Sequence, residues 1–266
     1  MGGRGSSSGG GTYQIVAAGS GGAGAPTIQP NAQAAVAANN ATFKATDPNG
    51  FHDLYNGRQY FADQNLTIDQ QVAAINYLSD STENGSLYSM SQNLNHALET
   101  GQPLTANQQY VYNHLDSAMH NMGYNTNLTR YDHGDMVNSI LTQVGLPKDY
   151  ENYTEAQLKK ALVGVKYGER KLVSTSYNDF KNVKDPKTLS TFKDRGIKIN
   201  YKVKASAQAM MPGNGPGGAL GEIILADSKG RKNYEILDVR YNGKMARRKR
   251  SQSYSLPQLE IDVLVD

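Results

Sequence analysis

Leu172-Val173-Ser174-Thr175-Ser176-Tyr177 opens apolar and closes on three consecutive hydroxyls. Farther along, Met211-Pro212-Gly213-Asn214-Gly215-Pro216-Gly217-Gly218-Ala219-Leu220-Gly221-Glu222-Ile223-Ile224-Leu225 runs from a glycine-rich loop through one carboxylate into an apolar strand. Both read as short strands, each with its polar groups gathered at one end. The glycines do not form the strand–GxGxxG–helix arrangement of a dinucleotide fingerprint. They read as a loop that moves or lies close to a ligand.

Further β-compatible stretches surround these two, at 127–131, 197–203, 234–239 and 259–265. Two helices interrupt them, over 134–144 and 154–165, the second starting on the capping-box pattern Thr154-Glu155-Ala156-Gln157. Before residue 124 the texture is helical. Val72, Ile75 and Leu78 follow the N-cap candidate Thr67. Leu87, Met90, Leu94 and Leu98 form a stripe that stops at Gly101. Val111, Leu115, Ala118 and Met119 recur over 105–122. Helices gathered first and strands gathered later predict an α+β fold rather than a parallel βαβ series. Residues 1–48, dominated by Gly, Ser, Ala and Asn, read as a flexible leader holding at most a short alanine-rich helix over 33–41, and residues 49–266 as the folded domain.

Composition narrows the function classes. A mean hydropathy of −0.60 describes a soluble chain, and no run approaches the roughly 18 apolar residues of a membrane span. No apolar h-region follows Met1, so no secretory signal is expected. Cysteine is absent, which excludes disulfides and thiolate metal sites and fits a reducing cytoplasm. His96, His114 and His120 read as surface or capping groups rather than metal ligands. A net charge of +3 does not by itself argue for nucleic acid. The run Lys244-Met245-Ala246-Arg247-Arg248-Lys249-Arg250 reads as a solvated loop, or else as a patch for an acidic protein or nucleic acid; without interleaved aromatics, base reading is not expected.

Three elements carry chemistry. Arg130, in Leu128-Thr129-Arg130-Tyr131, is either a solvated strand-end charge or a fork of donors for a phosphate and its ribose. The hydroxyls of Ser174, Thr175 and Ser176 are either a polar strand end or groups that fix a ribose and hold a carboxylate. Glu222 is either a surface strand residue or that carboxylate. After the hydroxyls, Phe180 with Lys181 and Lys184 could stack on a planar ring and face a diphosphate, or form a plain surface loop.

Taken in order, strand-Arg, strand-Ser-Thr-Ser and loop-Glu-strand resemble the mono-ADP-ribosyltransferases of the Arg-Ser-Glu type. The resemblance covers roughly residues 50–266. It includes the hairpin from Glu222 to Leu237 and the helical segment with Ser86, Tyr88, Asn93 and Leu94. The opening Met1-Gly2-Gly3-Arg4-Gly5 is similar to that of phage-encoded proteins carrying such domains. The resemblance implies helices packed on a mixed, two-sheet β core, and NAD as substrate without a metal. It implies Glu222 as the carboxylate beside the reacting ribose and Ser174 as the hydroxyl positioning it. Arg130, Thr175, Ser176, Tyr177 and Phe180 would be NAD-binding groups. Two positions depart from the family: Arg130-Tyr131-Asp132 stands where Tyr-Arg-Gly is common, and Leu220 where Glu or Gln orients the acceptor. The implied activity is transfer of ADP-ribose to a host protein, in the host cytoplasm or from a virion. NAD hydrolysis and a catalytically inactive virion-associated interaction protein are the alternatives.

Overall fold

Ile197–Val203 and Leu259–Val265 alternate apolar and polar residues, and their apolar sets are buried. They pair in parallel along their full length, from Ile197 opposite Leu259 to Val203 opposite Val265. A computed structural model describes residues 30–46, 66–79, 89–132, 134–177, 196–212, 222–241 and 259–266. Six helices lie in these stretches: α1 Pro30–Thr42, α2 Ile68–Leu78, α3 Met90–Thr100, α4 Ala106–Ala118, α5 Asp135–Gln143 and α6 Glu155–Leu162. The strands are β1 His120–Asn121, β2 Thr126–Asp132, β3 Lys166–Tyr167, β4 Val173–Ser176, β5 Ile197–Val203, β6 Gln208–Met210, β7 Glu222–Leu225, β8 Tyr234–Tyr241 and β9 Leu259–Val265.

Hydrogen bonding joins these strands into one mixed sheet in the order β1-β6-β7-β4-β2-β5-β9-β8-β3. Where two sheets are expected there is one, but its halves meet narrowly. β2 and β4 share the single registered pair Thr129–Ser176, whereas β2 and β5 share seven pairs. The chain also forces the sheet to bend. Five strand spacings separate β3 from β4, about 24 Å if the sheet were flat. The link from Tyr167 to Val173 spans about 21 Å at full extension. The sheet therefore curls, and the 168–172 link crosses its open side. The tail of β7 meets that link: Ser228 N donates to Glu169 O at 2.7 Å, and Glu169 N donates to Ser228 Oγ at 2.8 Å.

The larger core fills the curl with α5, α6 and the inward residues of the strands. A second core lies under α2, α3 and α4, where Leu94, Val111 and Leu115 meet Leu172, Met210 and Ile224 of the sheet. Thr67, Thr105 and Thr154 cap their helices reciprocally with Gln70, Gln108 and Gln157.

Three sequence readings change. The buried face of α2 is Ala73, Ala74, Tyr77 and Leu78, while Val72 and Ile75 are exposed. Small alanines let α2 approach α4 closely, so they serve as the packing stripe in place of the larger β-branched residues. Helix α4 stops at Ala118, and His120–Asn121 pairs with β6. The two-residue strands β1 and β3 and the three-residue β6 are additional, too short to show a period. Within the stretch 1–48 that reads as a leader, Val36 of α1 is buried against Leu237 and Leu264. Lys202 Nζ donates to Asn40 Oδ1, and Thr46 N donates to Asn125 O at 2.9 Å. Residues 1–29 lie outside the described residues.

Candidate active site

Strands β4 and β7 run antiparallel with Ser176 opposite Glu222 and Ser174 opposite Ile224. Directly opposed residues share a face of the sheet. Ser174, Ser176 and Glu222 therefore stand on one face with Leu172 and Ile224, which pack beneath α2–α4. Val173, Tyr177, Ile223 and Leu225 belong to the other core, and Thr175 Oγ1 donates to Ile223 O at 2.7 Å. By alternation, Thr175 and Tyr177 thus support β4 from behind. The structure does not bring them to the face that carries Glu222.

Glu222 is 6% exposed, and neither carboxylate oxygen makes a hydrogen bond. Burial pushes its carboxyl up to about 7; the Ser174 hydroxyl and then Arg130 pull in the opposite direction, without a hydrogen bond of ordinary geometry forming. An unsatisfied buried carboxylate is costly to hold. Such cost, in a group poised near neutrality, is a common property of reaction centres.

Arg130 reaches this group from β2. It is 4% exposed; its Nε donates to Asp132 Oδ2 at 3.0 Å and its Nη1 to Ser174 O at 2.9 Å. Burial alone would favour the neutral guanidine, but Asp132 outweighs it and the pKa stands above its ordinary value. Two hydroxyls and a carboxylate thus share one face of β4 and β7, while the pairs Thr129–Ser176 and Arg130–Ile199 put Arg130 on the face of the larger core, from which it bonds the β4 backbone.

This architecture is similar to BECa, an ADP-ribosylating toxin of a binary enterotoxin of C. perfringens whose structure was solved with NADH. The TM-score is 0.51 at 13% identity, over 78% of this chain and 45% of that one. The chain shares the fold of an ADP-ribosylating toxin. It spans less than half of BECa's length. Two more distant likenesses are an ADP-ribosyltransferase from Clostridium botulinum, at TM-score 0.48 and 19% identity over 75% of this chain and 87% of that one, and the ADP-ribosyltransferase toxin Plx2a from Paenibacillus larvae, at 0.45 and 16% over 75% and 87%. No family model and no curated protein matches the chain.

Within this toxin-type fold, the helices hold β4 through two residues that sequence reasoning misses. Asn95 of α3 treats Leu172 as a strand neighbour would: its Nδ2 donates to Leu172 O at 3.1 Å and its Oδ1 accepts from Leu172 N at 3.2 Å. Tyr77 of α2 accepts from Asn95 Nδ2 at 3.0 Å and donates to Leu172 O at 3.3 Å. Burial raises the Tyr77 pKa, the Ser174 and Asn95 side chains lower it, and Glu222 raises it further, so the phenol belongs to the same polar group. An asparagine beside Leu94 on an otherwise apolar face was the available signal. Asn93, singled out by resemblance, is half-buried, whereas Asn95 is 2% exposed.

Phe180, Lys181, Lys184, Leu220 and the basic residues Lys244, Arg247, Arg248, Lys249 and Arg250 lie outside the described residues. Among the described residues, no group of three or more His, Cys, Asp and Glu could hold a metal ion, and no helix is long and apolar enough to cross a membrane.

Proposed function

We propose that the chain cleaves the nicotinamide–ribose bond of NAD and transfers ADP-ribose to a protein of a host cell. The observation that carries this reading is Glu222: a buried carboxylate without hydrogen bonds, in register with Ser176 and beside Ser174, with the charged Arg130 on the neighbouring strand. Departure of nicotinamide leaves positive charge on the ribose, and a carboxylate fixed beside it stabilises that charge as it develops. In this role Glu222 accepts from the ribose 2′-hydroxyl, Ser174 positions both, and Ser176 lines the same face. Arg130 serves the diphosphate, since its two existing bonds fix the plane of its guanidinium. Phe180 is assigned to the nicotinamide ring. The bond electrons leave with neutral nicotinamide, and the acceptor nucleophile then bonds to the ribose carbon and gives up a proton.

The sequence favours a second reading, NAD hydrolysis. Leu220, two residues before Glu222, offers no group to orient an incoming side chain, which leaves water as an acceptor. Incubating the full chain with labelled NAD, alone and with bacterial or eukaryotic lysate, separates the readings. Labelled protein supports transfer. Free ADP-ribose with nicotinamide and no labelled protein supports hydrolysis. Intact NAD in every reaction overturns both.

A further inference from the structure

Backbone groups along an antiparallel strand bond alternately to one side and the other. β4 meets β7 on one side. On the other side stand the main-chain groups of Leu172, Ser174 and Ser176, and each finds a different kind of partner. Ser176 is paired with Thr129 of β2, and the registered pairing ends there. Ser174 O accepts from Arg130 Nη1 at 2.9 Å. Leu172 is met by Asn95 of α3, whose Nδ2 donates to its O at 3.1 Å and whose Oδ1 accepts from its N at 3.2 Å. The pairing of this edge thus passes from a strand to an arginine and then to an asparagine.

Helix α3 grips the same end of β4 a second time. Glu99 follows Asn95 by one helical turn and shares its face, and its Oε1 meets Lys171 Nζ at 2.5 Å. Two consecutive residues, Lys171 and Leu172, are therefore held by one helix. Filling the core here would need only an apolar side chain such as the neighbouring Leu94. A buried amide is tolerated because its bonds are made, including a third from Asn95 Nδ2 to the Tyr77 hydroxyl at 3.0 Å. An apolar residue at position 95 would leave Leu172 N, which faces away from β7, unpaired.

We propose that Asn95 is a positioning residue for the carboxylate site: it stands in for a strand neighbour beyond the point where β2 leaves β4, and so fixes β4 against β7 with Ser174 and Ser176 around Glu222. Ser174 lies two residues beyond Leu172, about 7 Å along an extended chain and on the same face. Ser176 is directly opposite Glu222, and Ser174 is its diagonal neighbour, within reach of a long side chain. Because Glu222 has no hydrogen bond of its own, the register of these two strands sets its surroundings. Without Asn95, Leu172 N loses its partner and Leu172 O is left with the longer bond from Tyr77 at 3.3 Å. β4 can then roll about the bond between Arg130 and Ser174 O. The register part of this inference stands by itself; its consequence for catalysis rests on the proposed function.

The test compares the full chain as wild type, Asn95→Leu and Leu162→Ala. Leucine keeps nearly the shape of asparagine and removes its bonds. Leu162→Ala opens the larger core instead and controls for lost stability. Without ligand, the Glu222 carboxyl ¹³C resonance, assigned through Glu222→Gln, is followed from pH 5.5 to 8.5. It should titrate near 7 in the wild type and in Leu162→Ala, and at higher pH in Asn95→Leu, where Ser174 opposes the effect of burial less. An unmoved midpoint in folded Asn95→Leu overturns the proposal, as does an equal displacement in Leu162→Ala. Should Asn95→Leu not fold, amide exchange in the wild type decides. Leu172 N–H must exchange as slowly as Thr175 N–H, which lies in the ladder between β4 and β7; fast exchange at Leu172 overturns the proposal. In NAD cleavage, kcat should fall about 10- to 100-fold in Asn95→Leu with KM nearly constant, and change little in Leu162→Ala. A displaced Glu222 titration with no NAD cleavage by any chain, wild type included, leaves the positioning role standing and rejects the functional reading. A displaced titration with wild-type kcat in Asn95→Leu rejects the catalytic consequence.

Discussion

Arg130 Nη1 donates to the main-chain oxygen of Ser174 across 2.9 Å, tying β2 to the strand that carries the hydroxyls. β2 and β4 are otherwise joined by one registered pair, Thr129 with Ser176. The side chain therefore bridges the place where the sheet's two halves are least connected. Arg130 is thus buried and part of the framework, not a solvated strand-end charge.

Arg130→Lys should cost on both counts. Lysine carries one nitrogen on a flexible stem and cannot bond Asp132 and Ser174 O together. Stability in urea should fall by about 2 kcal/mol, the scale of a lost hydrogen bond to a charged group. NAD affinity measured by calorimetry should fall as well. Unchanged affinity in a stably folded variant would remove Arg130 from ligand binding.

Glu222→Gln keeps the shape and removes the charge. NAD cleavage should drop by about 100-fold or more, typical of losing one preorganised electrostatic group, with affinity little altered. In the wild type the cleavage rate should rise with pH through about 7 as Glu222 ionises. Wild-type turnover in the variant, or a flat pH–rate profile, would displace Glu222 from this role.

Sequence pattern was most informative where burial alternates cleanly. Ile197–Val203 buries every second residue, and the sequence marks its two ends correctly; Glu222–Leu225 is equally legible because a glycine-rich loop bounds it. Ser174, Ser176, Glu222 and Arg130 were legible by type and order, although the shared face of the first three, and the opposite face of Arg130, follow only from the register. Tyr77 was hidden because α2 packs through Ala73 and Ala74, which do not register as a stripe beside Val72 and Ile75. Glu169 was hidden more completely. Gly168-Glu169-Arg170-Lys171 reads as a solvated run, and only the short crossing of a curled sheet buries it.

Stability should depend on pH with an unusual sign. Glu222 and Glu169 both have folded pKa values of about 7, above the ordinary 4.5. Between these values the folded chain binds more protons than the unfolded one, so stability falls as pH rises through that window. Asp227, raised mainly by burial, acts in the same direction. Calorimetric midpoints should be higher at pH 5.5 than at pH 8. Each of Glu169→Gln and Glu222→Gln should flatten the slope and stabilise the protein at pH 8. A midpoint rising steadily from 5.5 to 8 in the wild type would contradict the assignment.

Helix α1 should contribute to stability although its sequence looks like a tether. Val36 is 2% exposed and closes over Leu237 and Leu264. Removing residues 1–29, which contain few core formers, should leave the thermal midpoint within a few degrees. Extending the deletion through Thr42 uncovers that contact and should cost about 2 kcal/mol, the scale of one buried aliphatic side chain. Equal midpoints for the two deletions would show that α1 does not dock.

Tyr77→Phe tests whether the helices tune the site or merely cover it. The ring is 1% exposed, so phenylalanine keeps the packing and removes only the hydroxyl. Asn95 retains both bonds to Leu172, and the position of β4 is therefore preserved. What is lost are the phenol's bonds with Leu172 O and Asn95 Nδ2 and its interaction with Ser174, the same hydroxyl that draws the Glu222 carboxyl downward. With Ser174 less firmly oriented, burial acts on Glu222 with less opposition and its pKa should rise. The rising limb of the pH–rate profile should then move to higher pH, and kcat at pH 7 should fall about 10-fold, with KM for NAD nearly constant. A purely structural hydroxyl predicts a different outcome: lower stability with the limb unmoved. An unshifted limb at reduced midpoint would therefore restrict Tyr77 to packing and leave Ser174 alone to orient Glu222.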